Sequence, residues 1–170
     1  MRIKIKEIKN PDSAIFAYIS QMAIIRKIIT IPLKLISLQD DGYHLLLEIK
    51  LFKRKHFVVL DTGASRSVFD KSLIEQHLPT HTEHSEEINA ATLFTTTTTI
   101  QATIPSLKIG RLEIQDYETV AFDLQSVSET YKQFGHPPIA GIIGGDILME
   151  YKAAIHYEKL TLKLYQQKIK

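Results

Sequence analysis

Phe57 to Ser65 reads FVVLDTGAS, an apolar run that ends on an acid, a hydroxyl and a glycine. A buried strand that closes on Asp61-Thr62-Gly63 can present a carboxylate at the mouth of a cleft. Gly63 permits a tight turn and leaves its backbone amide free to bond that carboxylate, while the Thr62 hydroxyl can fix the turn. One such carboxylate is a weak catalyst. Two of them facing each other at about 3 Å cannot both ionise comfortably, so they share one proton. The ionised partner then activates water while the protonated one polarises a carbonyl, which is amide hydrolysis without a metal or a covalent intermediate.

A second stretch, GIIGGDIL at Gly141 to Leu148, follows some eighty residues downstream. Two motifs in this order are far more specific than three residues that recur by chance. Together they resemble the retropepsin-like aspartic proteases, over roughly Ile31 to Leu164. In that family the second motif is a strand that threads beside the catalytic loop, and its glycine gives room for the approach; the matching residues here are Ile142, Ile143 and Gly144. The resemblance implies a mostly β chain, folded as a closed β-barrel of the acid protease type with a short C-terminal helix. It implies Asp61 as the catalytic residue, supported by Thr62, Gly63, Ala64, Ile143 and Gly144, in an aspartic endopeptidase that needs no cofactor and no metal. Only one Asp-Thr-Gly occurs and no second Asp-Thr/Ser-Gly follows it. A two-lobed molecule is therefore excluded, and the implied active unit is a homodimer acting on a peptide or protein substrate. Its two-fold axis would bring Asp61 of each subunit to the centre, with Thr62 bonding across to its mate. The competing reading is a catalytically inactive domain of the same fold that serves dimerisation or peptide binding. The intact Asp-Thr-Gly favours the enzyme, because a binding module needs no acid in that turn.

Viral members of the family pair an acid shortly after the first motif with a basic residue just past the glycine of the second. Here Ser65 and Arg66 stand in the first place and Gly145 and Asp146 in the second, so the signs are exchanged. The expectation is an Arg66–Asp146 pair that ties the active-site loop to the C-terminal helix, within or across subunits. The alternative leaves Arg66 solvated and makes Asp146 the N-cap of the helix over Ile147–Tyr151. The family's cleft is closed by a hairpin flap, for which Ile88 to Ile100 is the segment, with Ala90, Ala91, Thr92, Leu93 and Phe94 at its tip. That segment holds no glycine, so a rigid edge hairpin is the alternative. The family's pockets imply apolar substrate side chains against Ala64, Ser67, Val68, Leu93 and Ile142. His77, His81 and His84, with Glu86 and Glu87, have the residue types of a metal site. Pro79 breaks the helix that would align them, and a solvated loop is preferred. His136 and His156 lack a nucleophile, and Ser65 and Ser67 lack a recognisable base.

These residues need strands to hold them. IPLKLISL and YHLLLEIKLF flank QDDG, a hairpin signal with Gly42 able to take positive φ, and KRK then leads into FVVL. SVFDKSLIEQHL suggests a short helix. INAATLFTTTTTIQATI and LKIGRLEIQDYETVAFDL are rich in β-branched residues. SVSETYKQF reads as a loop or a helical turn, HPP forces extended backbone, and KAAIHY with LTLKLY reads as a hairpin over EK. Residues 1–29 form an extension ahead of a protease-like domain at 30–170. Pro11, Asp12 and Ser13 signal the start of an amphipathic helix carrying Ile15, Phe16, Ile19, Met22 and Ala23. Its uncharged run stops at Arg26 and Lys27, short of the roughly 18 apolar residues of a membrane span.

Composition narrows the remaining classes. The 170 residues are 44% hydrophobic and 24% charged, an ordinary globular content for one domain. Lys and Arg number 21 against 19 Asp and Glu, a net +2, which is no field for nucleic acid. The absence of cysteine removes disulfides, thiolate nucleophiles and cysteine-held zinc, and fits a reducing cytoplasm. A secreted or periplasmic location is the alternative should the N-terminus act as a signal.

Overall fold

The computed structural model of the protein describes residues 24–38, 42–78, 83–84 and 99–169. Alternation of apolar and polar residues builds its strands. In β2 (Tyr43–Leu51), Leu45, Leu47, Ile49 and Leu51 enter the main core while Leu46 faces a second, smaller cluster on the opposite side. β3 (Arg54–Leu60) pairs with β2 antiparallel across a tight turn whose residues Phe52 and Lys53 both take positive φ, at 47° and 66°. β4 (Val68–Asp70), β6 (Ile100–Ile109), β7 (Leu112–Phe122) and β8 (Ile139–Ile143) complete a ring. β6 pairs with β7, β7 with β4, β4 with β8, β8 with β3 and β3 with β2, and β2 returns to β6 through Ile49–Leu51 against Leu107–Ile109. Six strands thus close into a barrel, as the resemblance implies.

The strands outside the ring extend it. β1 (Ile24–Ser37) pairs through Leu33–Ser37 with β2 and through Ile24–Pro32 with β10 (Thr161–Ile169), and β9 (Ala154–His156) forms a hairpin onto β10. β5 (Glu83–His84) lies at the edge of β6. Among the described residues three short helices fill the gaps: α1 (Lys71–His77), α2 (Gln125–Gln133) and α3 (Gly145–Glu150). α1 starts because the Asp70 side chain caps it, accepting from the Leu73 amide at 3.0 Å. α2 covers the second cluster, where Tyr131 packs with Ile36, Leu46 and Ile139 and with Phe57 and Val59 at its margin. It ends at Gly135, whose φ of 74° suits a helix C-terminus, with two prolines following.

LKIGRLEIQDYETVAFDL is β as expected, holding the end of β6 and the whole of β7, with Gly110 at φ 59° turning the chain between Ile109 and Leu112. Two readings of the sequence change here. β1 begins at Ile24, ahead of the change of pattern at Ile29, so the sheet reaches into residues assigned above to the extension. SVSETYKQF is neither loop nor single turn, since α2 holds it. The N-terminal helix, the tip of the QDDG hairpin and the flap residues Ala90, Ala91, Thr92, Leu93 and Phe94 lie outside the described residues. No helix among the described residues is long and apolar enough to cross a membrane.

Candidate active site

β3 ends at Leu60 with its side chain in the core, and the next residue turns out of the barrel. The Asp61 amide donates to the Ile143 carbonyl of β8 at 3.0 Å, which pins the turn to the neighbouring strand. The Gly63 amide donates to Asp61 Oδ1 at 2.8 Å, and the Ala64 amide donates to the Asp61 carbonyl at 3.3 Å. Asp61, Thr62 and Gly63 are all exposed, so the turn offers a carboxylate of fixed direction to the outside of the chain.

The second motif lies against this turn. Gly145 donates its amide to the Ala64 carbonyl at 2.7 Å, and Gly144 donates to Ser67 Oγ at 2.9 Å. A Cβ on Gly144 would stand 2.6 Å from both the carbonyl carbon and the oxygen of Arg66, too close for any side chain. Gly141 is equally constrained, with Val68 O at 2.5 Å from a notional Cβ. Gly141 and Gly144 therefore let β8 run against the Asp61 loop and β4.

Asp146, in the first turn of α3, anchors the far side of the loop. Its Oδ1 accepts from the Ser67 amide at 2.9 Å, the Ser67 hydroxyl at 2.7 Å and the Ile147 amide at 2.8 Å, and its Oδ2 accepts from the Tyr117 hydroxyl at 2.5 Å. Thr119 Oγ1 donates to the Ser67 carbonyl at 3.2 Å. Burial, the largest single influence, works to raise the Asp146 pKa. The hydrogen bonds from Tyr117, Ser67 and Ile147 together outweigh it and hold the carboxyl below its usual range. Burial, aided by the bond to Asp146, pushes the Tyr117 phenol up.

Within the single chain this network corrects three expectations. Within the chain no ion pair within 4 Å joins Arg66 to Asp146 among the described residues; the carboxylate that Arg66 was to meet is occupied by hydroxyls and amides, and Arg66 is exposed. Asp146 is not the N-cap either, since Gly144 holds that place. Ser67 is 2% exposed and serves the network, so it cannot line a substrate pocket. Val68 and Ile142 are partly buried and paired with each other across β4 and β8.

The histidines have local partners. His77 Nδ1 lies 3.0 Å from the Leu73 carbonyl and its ring stacks on Phe52 at 4.3 Å. His136 Nε2 meets the Ser37 carbonyl at 2.9 Å, and His156 Nδ1 accepts from the Lys159 amide at 3.2 Å. No cluster among the described residues has the groups to hold a metal ion, while His81, Glu86 and Glu87 lie outside them. A cavity of about 360 Å³ opens between α1, α2 and the start of β8, but Asp61 is not among its lining residues.

Sequence reasoning missed Tyr117, Thr119, His44 and Tyr131. Tyr117 reaches Asp146 from 29 positions away and His44 meets Tyr131 from 87, and no spacing rule connects such pairs. The one available signal was chemical: a tyrosine in a half-buried strand needs a partner for its hydroxyl.

With this geometry in view, comparison with known proteins is informative. A family model described as aspartyl protease matches residues 48–147, more than half of the chain. No curated protein matches the sequence. Among solved structures, a retropepsin-like aspartic protease from Rickettsia conorii is similar in fold with a TM-score of 0.52 at 17% identity, covering 86% of this chain and 97% of that one. The retroviral protease-like domain of Ddi1 from Leishmania major is similar with a TM-score of 0.51 at 15% identity, over 71% of this chain and 87% of that one. The closed barrel agrees with these matches in fold, which is retropepsin-like, and the chain belongs to the aspartyl protease family.

Proposed function

We propose that the protein is an aspartic endopeptidase that works as a homodimer, with Asp61 of each subunit supplying half of a proton-sharing pair. The observation that carries this reading is the Asp61 turn itself: a carboxylate fixed by the Gly63 amide and by the bond to Ile143, yet exposed on the isolated chain. A purely structural acid would be consumed by its surroundings, as Asp146 is. In the dimer the ionised Asp61 takes a proton from water as it attacks the scissile carbonyl, and the protonated Asp61 donates to the carbonyl oxygen. Collapse of the tetrahedral intermediate then passes a proton to the leaving amine and restores the shared proton. Thr62 is exposed beside Asp61, and on this reading it bonds across the two-fold axis to its mate.

Digestion of a diverse peptide pool between roughly pH 4 and 8, with and without pepstatin, tests the proposal against an Asp61→Asn control. Cleavage that Asp61→Asn lowers by about 10²–10⁴-fold supports it. A folded protein without activity anywhere in that window would instead mark the chain as a silent member that dimerises or binds peptide.

A further inference from the structure

The loop from Asp61 to Ser67 has little packing of its own. Asp61, Thr62, Gly63, Ser65 and Arg66 are exposed, Ala64 is half-buried, and Ser67 alone is buried. Backbone whose side chains face water is not held by apolar contact, so hydrogen bonds must fix its course. Those bonds fall at its two ends. At the leading end the Asp61 amide donates to the Ile143 carbonyl and the Ala64 carbonyl accepts from the Gly145 amide. At the trailing end everything converges on Ser67. Its hydroxyl accepts from the Gly144 amide and donates to Asp146 Oδ1, its amide donates to the same oxygen, and its carbonyl accepts from Thr119 of β7.

Asp146 is thus the post to which the loop is tied, and its two oxygens are held differently. Oδ1 receives three donors from the loop and from α3, whereas Oδ2 receives the Tyr117 hydroxyl alone among the described residues. The torsion that turns a carboxylate is broad, so bonds to one oxygen leave its plane free to swing and a bond to the second fixes it. Tyr117 is itself held in place. Its ring packs edge to face on the fully buried Phe69 of β4, with centroids 6.4 Å apart and planes at 89°. β7 also pairs with β4 along Val68–Asp70, so the strand that carries Tyr117 is fastened to the residues that directly follow the loop. A hydrogen bond to an ionised acceptor is stronger than one between neutral groups, and the partial burial of both Tyr117 and Asp146 limits competition from water.

We propose that Tyr117 is a positioning residue for Asp61: by fixing the plane of the Asp146 carboxylate it fixes Ser67, and through Ser67 it fixes the loop that carries the catalytic turn. The proposal rests on the reading of Asp61 as the catalytic acid. Tyr117 touches no substrate on this reading and acts only through Asp146 and Ser67. Loss of its hydroxyl leaves Oδ2 without a protein donor, the carboxylate turns more freely, and Asp61 is aimed correctly for a smaller share of the time. Aim matters to the reacting geometry more than to substrate affinity, so kcat carries the loss and KM does not.

Tyr117→Phe keeps the ring on Phe69 and removes only the hydroxyl, and three measurements on the full chain read the effect. Hydrogen exchange is the first and needs no activity. The Ser67 and Gly144 amides should exchange about tenfold faster or more in Tyr117→Phe, while the amides bonded between β2 and β3 keep their rates. Unchanged rates at Ser67 and Gly144 overturn the proposal. The second is kinetics on a peptide the wild type cleaves, at a temperature where melting curves show every variant folded. Tyr117→Phe should lower kcat on the order of tenfold while KM changes by less than about twofold. Ile109→Val, a trim of the buried core at the end of β6, controls for lost stability alone. A kcat that holds in Tyr117→Phe, or that falls as far in Ile109→Val, overturns the proposal. The third combines Tyr117→Phe with Asp146→Asn. The double variant should have the kcat of Asp146→Asn, and an additive loss overturns the proposal because Tyr117 would then act by another route. Cleavage that survives Asp61→Asn removes the catalytic reading, on which the exchange rates do not depend, whereas cleavage lost in Asp61→Asn with kcat unmoved in Tyr117→Phe removes the role of Tyr117 alone.

Discussion

Asp61 and Asp146 are two carboxylates of one loop region with opposite fates. Asp61 spends one oxygen on the Gly63 amide and is exposed, whereas both oxygens of Asp146 are taken by hydroxyls and amides. Availability for chemistry separates the two, and sequence position does not. Gly144 is the residue on which the arrangement turns. Gly144→Ala places a methyl 2.6 Å from the Arg66 backbone, so the loop must shift away from β8. We expect a loss of about 1–3 kcal/mol in urea unfolding, together with a drop in kcat larger than the change in KM, because the displaced group is the one that aims Asp61. A Gly144→Ala protein as stable and as active as the wild type would show that the close approach is dispensable.

At the level of elements, Asp146 joins β7, the catalytic loop and α3, and its pKa direction yields a pH dependence. A carboxyl held below its usual range in the folded state adds stability that is complete above the unfolded value, about 3.9, and fades as pH falls toward the lowered one. Asp146→Asn removes the charge that Tyr117 and Ser67 were bonding. The variant should be less stable by about 1–3 kcal/mol near neutral pH, and the gap to the wild type should narrow as unfolding is measured from roughly pH 6 down to pH 2. A gap that stays constant across that range would mean the carboxylate is not the form being stabilised. Tyr117→Phe should show the same narrowing with a smaller gap, since the two donors from Ser67 and the amide of Ile147 remain.

For the whole molecule the question is what a second copy would cover. Met149 is 71% exposed on α3, the helix that starts from the Gly144–Gly145 contact with the catalytic loop. An apolar side chain of that size left in water suits an interface between copies. Met149→Glu brings like charges together there and should weaken dimerisation about tenfold or more in sedimentation equilibrium, with activity per chain falling as the protein is diluted. Sedimentation of both proteins as monomers at high concentration, with wild-type activity intact, would rule out a dimeric active unit.

Much of this was legible in the order of residues. FVVLDTGAS and GIIGGDIL each lie within a few positions, and period-two alternation marks β2 and β6 as strands with a buried face, so a mostly β chain could be read directly while the barrel came from the resemblance those motifs carry. The turn at Gly110 is equally local, a single glycine in a β-branched run. For Arg66 and Asp146 the sequence left two readings open: within the chain Arg66 is exposed and Asp146 is structural, though not as the N-cap. Opposite charges near two adjoining motifs suggest a pair, yet which groups reach a carboxylate depends on strands whose neighbours lie far off in sequence, and β7 delivers Tyr117 while the loop delivers Ser67. The same holds for His44 and Tyr131, which meet only because α2 packs over β2. Short-range patterns carry the identity of an acid and the strand that presents it; the company that acid keeps is set by pairing across tens of residues, which no local pattern encodes.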